Sequence, residues 1–247
     1  MRYDRNYLYI TPEEQKRLAE CHVLLAGCGI GSNIAECALR LGFERLRLVD
    51  GDSVSISNLN RQNYTQQDVG KLKAESLAKR LQAIHPQAAV EAVPAFMDIR
   101  NIEDCLYGID VAVNALDFTS DLPFLFDRVC AHRQIPVIHP YNLGWAALAL
   151  VVPPKGPFLD DIVGSQPEKA EVRFVQHLLE ELLPQAQTAW LREVAARYAT
   201  MPEAPSPPQL AVGSWAVAAL TTRLLFLLAT SPAQVQPYPR VYWLSTV

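Results

Sequence analysis

No two of the five cysteines (Cys21, Cys28, Cys37, Cys105 and Cys130) are separated by two residues, so no C-x-x-C metal knuckle can form. Their number is odd and they sit in apolar helix or strand patterns, which predicts buried cytosolic thiols rather than a disulfide framework. A basic surface is also lacking. Lys and Arg total 22 against 26 Asp and Glu, a net charge of -4, which argues against a broad nucleic-acid interface. The start, Met-Arg-Tyr-Asp-Arg-Asn-Tyr, lacks the apolar core of a signal peptide, so a cytoplasmic location is expected. There are no internal repeats and no long low-complexity tract.

Half of the residues are hydrophobic, enough for a sizeable core. One stretch, Leu210 to Ala229, approaches the length of a membrane span. Arg223 lies inside it, and a mid-membrane Arg costs about 2.5–3.5 kcal/mol on insertion scales. With Ser214, Thr221 and Thr222 also present, a helix buried in a core or subunit interface is expected, and no membrane partner.

Short apolar runs alternate with helical patterns. Thr11-Pro12-Glu13-Glu14 offers a cap and an early proline for a first helix. Strands are predicted at His22–Ala26, Arg45–Val49, Val90–Val93, Val111–Asn114 and Pro136–His139. Helices are predicted at Ser32–Leu41, Lys71–Ile84, Glu103–Leu106 and Leu122–His132. This order predicts a Rossmann-like, doubly wound α/β fold with a mainly parallel sheet. A nucleotide-binding core over 1–152 is followed by a variable helical insertion over 153–208. A proline-rich linker at Ala204 to Pro208 leads to a C-terminal helix and strand over 209–247, the whole forming one domain.

Gly27, Gly29, Gly31 and Ser32 form the turn between the first strand and the first sheet-covering helix. Glycines let such a turn approach phosphate, and the helix N-terminus presents free N–H groups to anions. Asp50 ends the second strand about 20 residues later, where an acid can accept hydrogen bonds from ribose. That spacing fits an NAD-dependent dehydrogenase as well as an ATP enzyme. Arg61 and Lys73 follow; Arg offers a fork for phosphate oxygens and Lys a compact charge. Asp117, just beyond the fourth strand, is placed to hold Mg²⁺ against phosphates.

The run Asp50-Gly-Asp52-Ser-Val-Ser-Ile-Ser-Asn58-Leu-Asn-Arg61-Gln62, with Val69-Gly70-Lys71-Leu72-Lys73-Ala74-Glu75, resembles the ThiF/MoeB/HesA adenylyltransferases, relatives of ubiquitin-activating enzymes. The resemblance implies ATP and Mg²⁺ as cofactors. The implied reaction is adenylation of a carboxylate, at the free C-terminus of a small protein or peptide, with release of pyrophosphate. It implies that Asp50 and Asp52 belong to the nucleotide site, that Asn58, Arg61, Gln62 and Lys73 contact ATP, and that Asp117 is linked to the metal. Arg2-Tyr3-Asp4-Arg5-Asn6 is similar to the family's N-terminal segment, which implies that Arg5 reaches the ATP of a partner subunit in a homodimer.

Many members of that family carry two C-x-x-C pairs for a structural zinc and a downstream cysteine that forms a thioester. Neither pattern is present, so no zinc and no covalent relay within this chain are expected. Phe118 replaces the usual Asn after Asp117, and the glycine turn is one glycine shorter than usual. Two alternatives within the family follow: a non-catalytic ATP-binding subunit of a heterodimer, and activation of a tRNA-attached carboxylate. His177, Glu180, Glu181, Trp190 and Arg192 in the insertion read as faces of amphipathic helices.

Overall fold

In the computed structural model, residues 2–166, 170–183, 185–201 and 206–247 are described. A seven-stranded sheet runs in the order β3-β2-β1-β4-β5-β6-β7. Strands β1 (His22–Ala26), β2 (Arg45–Val49), β3 (Ala89–Val93), β4 (Val111–Asn114) and β5 (Val137–Asn142) are mutually parallel. Strands β6 (Ala146–Val152) and β7 (Val241–Ser245) add to the edge antiparallel.

The period-two geometry of β1 sends its side chains to opposite faces, and both faces are covered. Val23 and Leu25 join one core with Ile34, Leu77 and Leu225, beneath α2 (Gly31–Leu41), α3 (Lys73–Ile84) and α9 (Ala211–Thr230). Leu24 and Ala26 join the other with Phe126, Leu159 and Phe174, beneath α5 (Leu122–His132), α6 (Leu159–Val163) and α7 (Ala170–His177). The short α4 (Ile102–Cys105) closes the second core from the side of β4.

Helix α1 (Pro12–Glu20) begins with a capping box in which Thr11 and Glu14 satisfy each other's backbone N–H. Helix α3 starts at Lys73, because Lys71 instead accepts a backbone bond from Val54. The antiparallel partner β6 had no counterpart among the expected strands. Its sequence, Ala-Ala-Leu-Ala-Leu-Val-Val, is buried at every position and shows no polar alternation. Strand β5 also runs on past His139 to Asn142, pairing with β6 across a tight turn.

After β6 come α6, α7, a turn of π-helix at Leu178–Leu182 and α8 (Gln185–Ala199), so the expected helical character of this stretch holds among the described residues. Of the expected linker, Ala204 and Pro205 lie outside the described residues. Helix α9 is long and apolar enough to cross a membrane. It nonetheless packs on α2, β5 and β6, burying Val217, Ala218, Thr221 and Leu225, while Arg223 stays at the surface over the Phe226 ring.

Candidate functional site

The carboxyl ends of β1, β2 and β4 meet at one edge of the sheet because the three strands are parallel neighbours. Gly27 leaves β1 with φ +94° and bonds to Val49 O at 2.9 Å. A Cβ at this position would stand 2.3 Å from Ala115 O, so the exit of β4 requires glycine here. Beyond it, the N–H groups of Gly29, Ile30 and Gly31 donate to no acceptor among the described residues. Three free amides at the N-terminus of an eleven-residue helix make a cradle for an anion.

The turn is held from below. Ser32 is fully buried; its hydroxyl donates to Gly29 O at 2.6 Å and accepts from Asn63 N at 2.9 Å. Tyr64 OH donates to Cys28 O at 2.7 Å. Asn63 also donates to the buried Glu36, whose carboxylate takes Arg40 and Arg80 as well. Burial alone would raise the Glu36 carboxyl, but the hydrogen bonds from Arg80, Asn63 and Arg40 bring it below its ordinary value.

Asp50 braces the same turn: Oδ2 accepts from Cys28 N at 2.7 Å and Oδ1 from Asp52 N at 2.8 Å. Burial pushes its carboxyl up, opposed by the charge of Lys73 and by these two amides. A short antiparallel clip then joins Asp52–Val54 to Gly70–Lys73. It carries Lys73 to Asp52, with Nζ 2.8 Å from Oδ2.

Asn58 ends a 3-10 turn, where its side chain accepts from Ser55 N at 2.9 Å and its carbonyl from Arg61 N and Gln62 N. Gln62 lies over the glycine turn; a Cβ on Gly29 would be 3.2 Å from its Nε2. Its Oε1 is buried and has no hydrogen-bond partner among the described residues. Arg61 donates from Nη1 to Ser57 O and Asn60 Oδ1, both at 2.8 Å, and from Nε to Gln209 Oε1 at 3.0 Å.

Asp117 is exposed two residues beyond Ala115, which packs against Gly27. Among the described residues no group of three His, Cys, Asp or Glu side chains is arranged for a metal. A single carboxylate suits Mg²⁺ when substrate oxygens and waters supply the remaining ligands. Arg5 is elsewhere. Its neighbours Tyr3 and Asn6 bond to Leu39 O and Leu41 O, at the far end of α2 from the glycine turn. Eleven residues of helix span about 16 Å.

The structure thus gathers Gly27–Ser32, Asp50, Asp52, Gln62 and Lys73 into one network and sets Asn58, Arg61 and Asp117 beside it. Sequence reasoning missed several supporting residues. Gln209, isolated between Pro208 and Leu210, carries no motif. Asn114, Asp127 and His139 form a buried network under the β4 exit, with Asp127 Oδ1 2.9 Å from His139 Nε2 and 3.1 Å from Asn114 Nδ2. Burial pushes all five thiols upward, Cys21 to about 12, so none is poised as a nucleophile.

The family model described as ThiF matches residues 3–230. The chain belongs to the ThiF family. It is 33% identical over 175 residues to the SAMP-activating enzyme E1 of Haloferax volcanii, covering 69% of this chain and 64% of that protein. It is 38% identical over 120 residues to the sulfur carrier protein adenylyltransferase of Thermus thermophilus, covering 47% of this chain and 44% of that one. A tRNA threonylcarbamoyladenosine dehydratase of Haemophilus influenzae is 34% identical over 131 residues, covering 52% of this chain and 50% of that protein. The chain therefore spans about half to two-thirds of the length of these curated relatives. Among solved structures, Escherichia coli MccB with ATP superposes with a TM-score of 0.65 at 19% identity, covering 99% of this chain and 70% of that one. PaaA superposes with a TM-score of 0.67 at 20% identity, covering 94% and 63%. Both likenesses carry the Rossmann-type fold.

Proposed function

We propose that this ThiF-family chain adenylates a carboxylate at the C-terminus of a small protein or peptide, using ATP and Mg²⁺ in the cytoplasm. The observation that carries the reading is the set of free amides at Gly29, Ile30 and Gly31, which share one sheet edge with Asp50, Arg61, Lys73 and Asp117. Relatives named for activating SAMP and sulfur carrier proteins support the substrate class.

In this reading the free amides hold phosphate oxygens and Asp50 turns a carboxylate oxygen to ribose. A substrate carboxylate oxygen bonds to the α-phosphorus. The bond from that phosphorus to its bridging oxygen breaks, and pyrophosphate leaves with the electron pair. Arg61 and Lys73 offset the charge gathering on the leaving group. Asp117 would help hold Mg²⁺, which supplies further positive charge to the phosphates. Lys73 must exchange Asp52 for phosphate when ATP enters.

Arg5 serves a neighbouring subunit's site in this proposal, because it lies at the wrong end of α2 to reach its own. The exposed Tyr7, Leu8 and Tyr9 that follow, with Leu8 91% exposed, support a homodimer contact there. The ion pair of Lys73 with Asp52, and Phe118 after Asp117, favour one second reading, a non-catalytic ATP-binding subunit of a heterodimer.

ATP–pyrophosphate exchange with purified protein separates the two. Exchange dependent on a carboxylate peptide is expected; ATP binding without exchange for any carboxylate would establish the second reading instead.

A further inference from the structure

Arg61 belongs to the nucleotide motif, yet its guanidinium is held in part from the far end of the chain. Within its own turn Nη1 donates to Ser57 O and Asn60 Oδ1, both at 2.8 Å, while Nε donates to Gln209 Oε1 at 3.0 Å. The N–H bonds of a guanidinium share one plane, so acceptors at two of its nitrogens fix that plane and its rotation. Nη2 is left over: neither of its N–H groups meets an acceptor among the described residues.

Gln209 can hold an arginine still because the chain beside it is itself held. Leu210, the next residue, caps the start of α9, and its carbonyl accepts from Asn142 Nδ2 at 2.9 Å. Asn142 also donates to Ser214 Oγ and accepts from Gly144 N, both at 2.9 Å. Helix α9 packs along α2, whose first turn carries the free amides. Gln62, next to Arg61 in the chain, lies over Gly29 of that turn. Arg61 therefore bridges the cover of the phosphate turn and the entrance to α9.

We infer that Gln209 is a positioning residue for the triphosphate: by accepting from Arg61 Nε it presents Nη2 to the β- and γ-phosphates before ATP arrives. The inference rests on the adenylation reading for the role of Arg61 at the leaving pyrophosphate. Ordering a long side chain costs conformational entropy, and meeting that cost on folding removes it from the binding step. An amide suits the task better than a carboxylate would. A neutral oxygen fixes Nε without cancelling the charge that phosphate must feel, whereas an acid would compete for the same cation.

Calorimetry with α,β-methylene ATP and with AMP tests this on the full chain. Gln209→Met keeps the length of the side chain and removes the acceptor. It should weaken the triphosphate analogue about tenfold while AMP affinity and the melting temperature without ligand stay nearly unchanged. In an Arg61→Ala background the same substitution should have no further effect, because the residue it acts through is gone. Equal losses for the analogue and AMP, a full additional loss in the Arg61→Ala background, or unchanged or tighter analogue binding would overturn the inference. Coupled loss of analogue affinity in a protein that shows no exchange with any carboxylate would keep the role of Gln209 and sink the adenylation reading. Carboxylate-dependent exchange that needs Arg61 but is indifferent to Gln209→Met would do the reverse.

Discussion

Lys73 Nζ lies 2.8 Å from Asp52 Oδ2, with the lysine side chain 10% exposed and the aspartate 48% exposed. The nearly buried cation is thus held by a carboxylate that water reaches, so the pair can open toward a stronger anion without stranding a charge in the core. Lys73→Ala should lower pyrophosphate exchange by about 10²–10³-fold, the usual loss when one group stabilising a leaving charge is removed. Asp52→Asn keeps Lys73 and removes its competitor, so ATP affinity should rise while the melting temperature of the ligand-free protein falls, because the nearly buried ammonium loses its counter-charge. Unchanged exchange in Lys73→Ala would remove this residue from the proposed mechanism.

Ser32 was legible as part of a glycine-rich turn, but its work is internal. Ser32→Ala removes the donor to Gly29 O and leaves the Asn63 N–H buried without an acceptor. The expected destabilisation is about 1–3 kcal/mol, read as a lower midpoint in urea. ATP affinity should fall as well, because the three free amides depend on the turn's shape. A variant with full stability and weakened ATP binding would instead assign Ser32 directly to the phosphate.

The parallel strands and the helices around the nucleotide edge were readable because β1 and β4 are short, mostly apolar runs and β2 alternates Arg with Leu before Val49, with turn residues following. Strand β6 was not, because burial on both faces erases the period that betrays a strand and its Ala and Leu suit helices equally. The site residues were readable only where a local motif carried them, as from Asp50 to Gln62. Gln209, 148 residues from Arg61 in sequence, depends on α9 returning to the sheet edge, and nothing local in the chain announces it. The same holds for Asp127 and His139, whose pairing is made by the sheet rather than by spacing.

Glu36 gives the fold an acid dependence with a definite sign. Its folded carboxyl titrates below the ordinary value of 4.5, so the network with Arg40, Arg80 and Asn63 is fully stabilising above that pH. This contribution is lost as pH falls through the lower folded value. The melting temperature should therefore decline from about pH 4.5 downward, and Glu36→Gln should start lower at neutral pH and decline less over that range. Parallel curves for the two proteins would show that other carboxylates govern the acid limb.

The five thiols should resist modification in the folded state. Burial is the leading cause of each upward shift, so a thiol reagent at pH 8 should label the native protein slowly and the urea-unfolded protein at all five positions. Cys105→Ser and Cys130→Ser should retain exchange activity with only a packing loss. Rapid labelling of any one native thiol, with activity lost in step, would restore a covalent intermediate to consideration.

The reversal of direction at the β5–β6 turn has an evolutionary side. Strand β6 runs back to the opposite edge of the sheet, so everything from Pro153 to Pro208 is tethered at one end by a strand and at the other by the Asn142 bond to Leu210. Gly213 tightens that second tether, since a Cβ there would stand 2.2 Å from Asn142 Oδ1. Between two fixed posts, helices can lengthen, shrink or change their side chains without shifting the register of any strand that carries the phosphate cradle. A lineage built this way can exchange its clientele while inheriting the same engine.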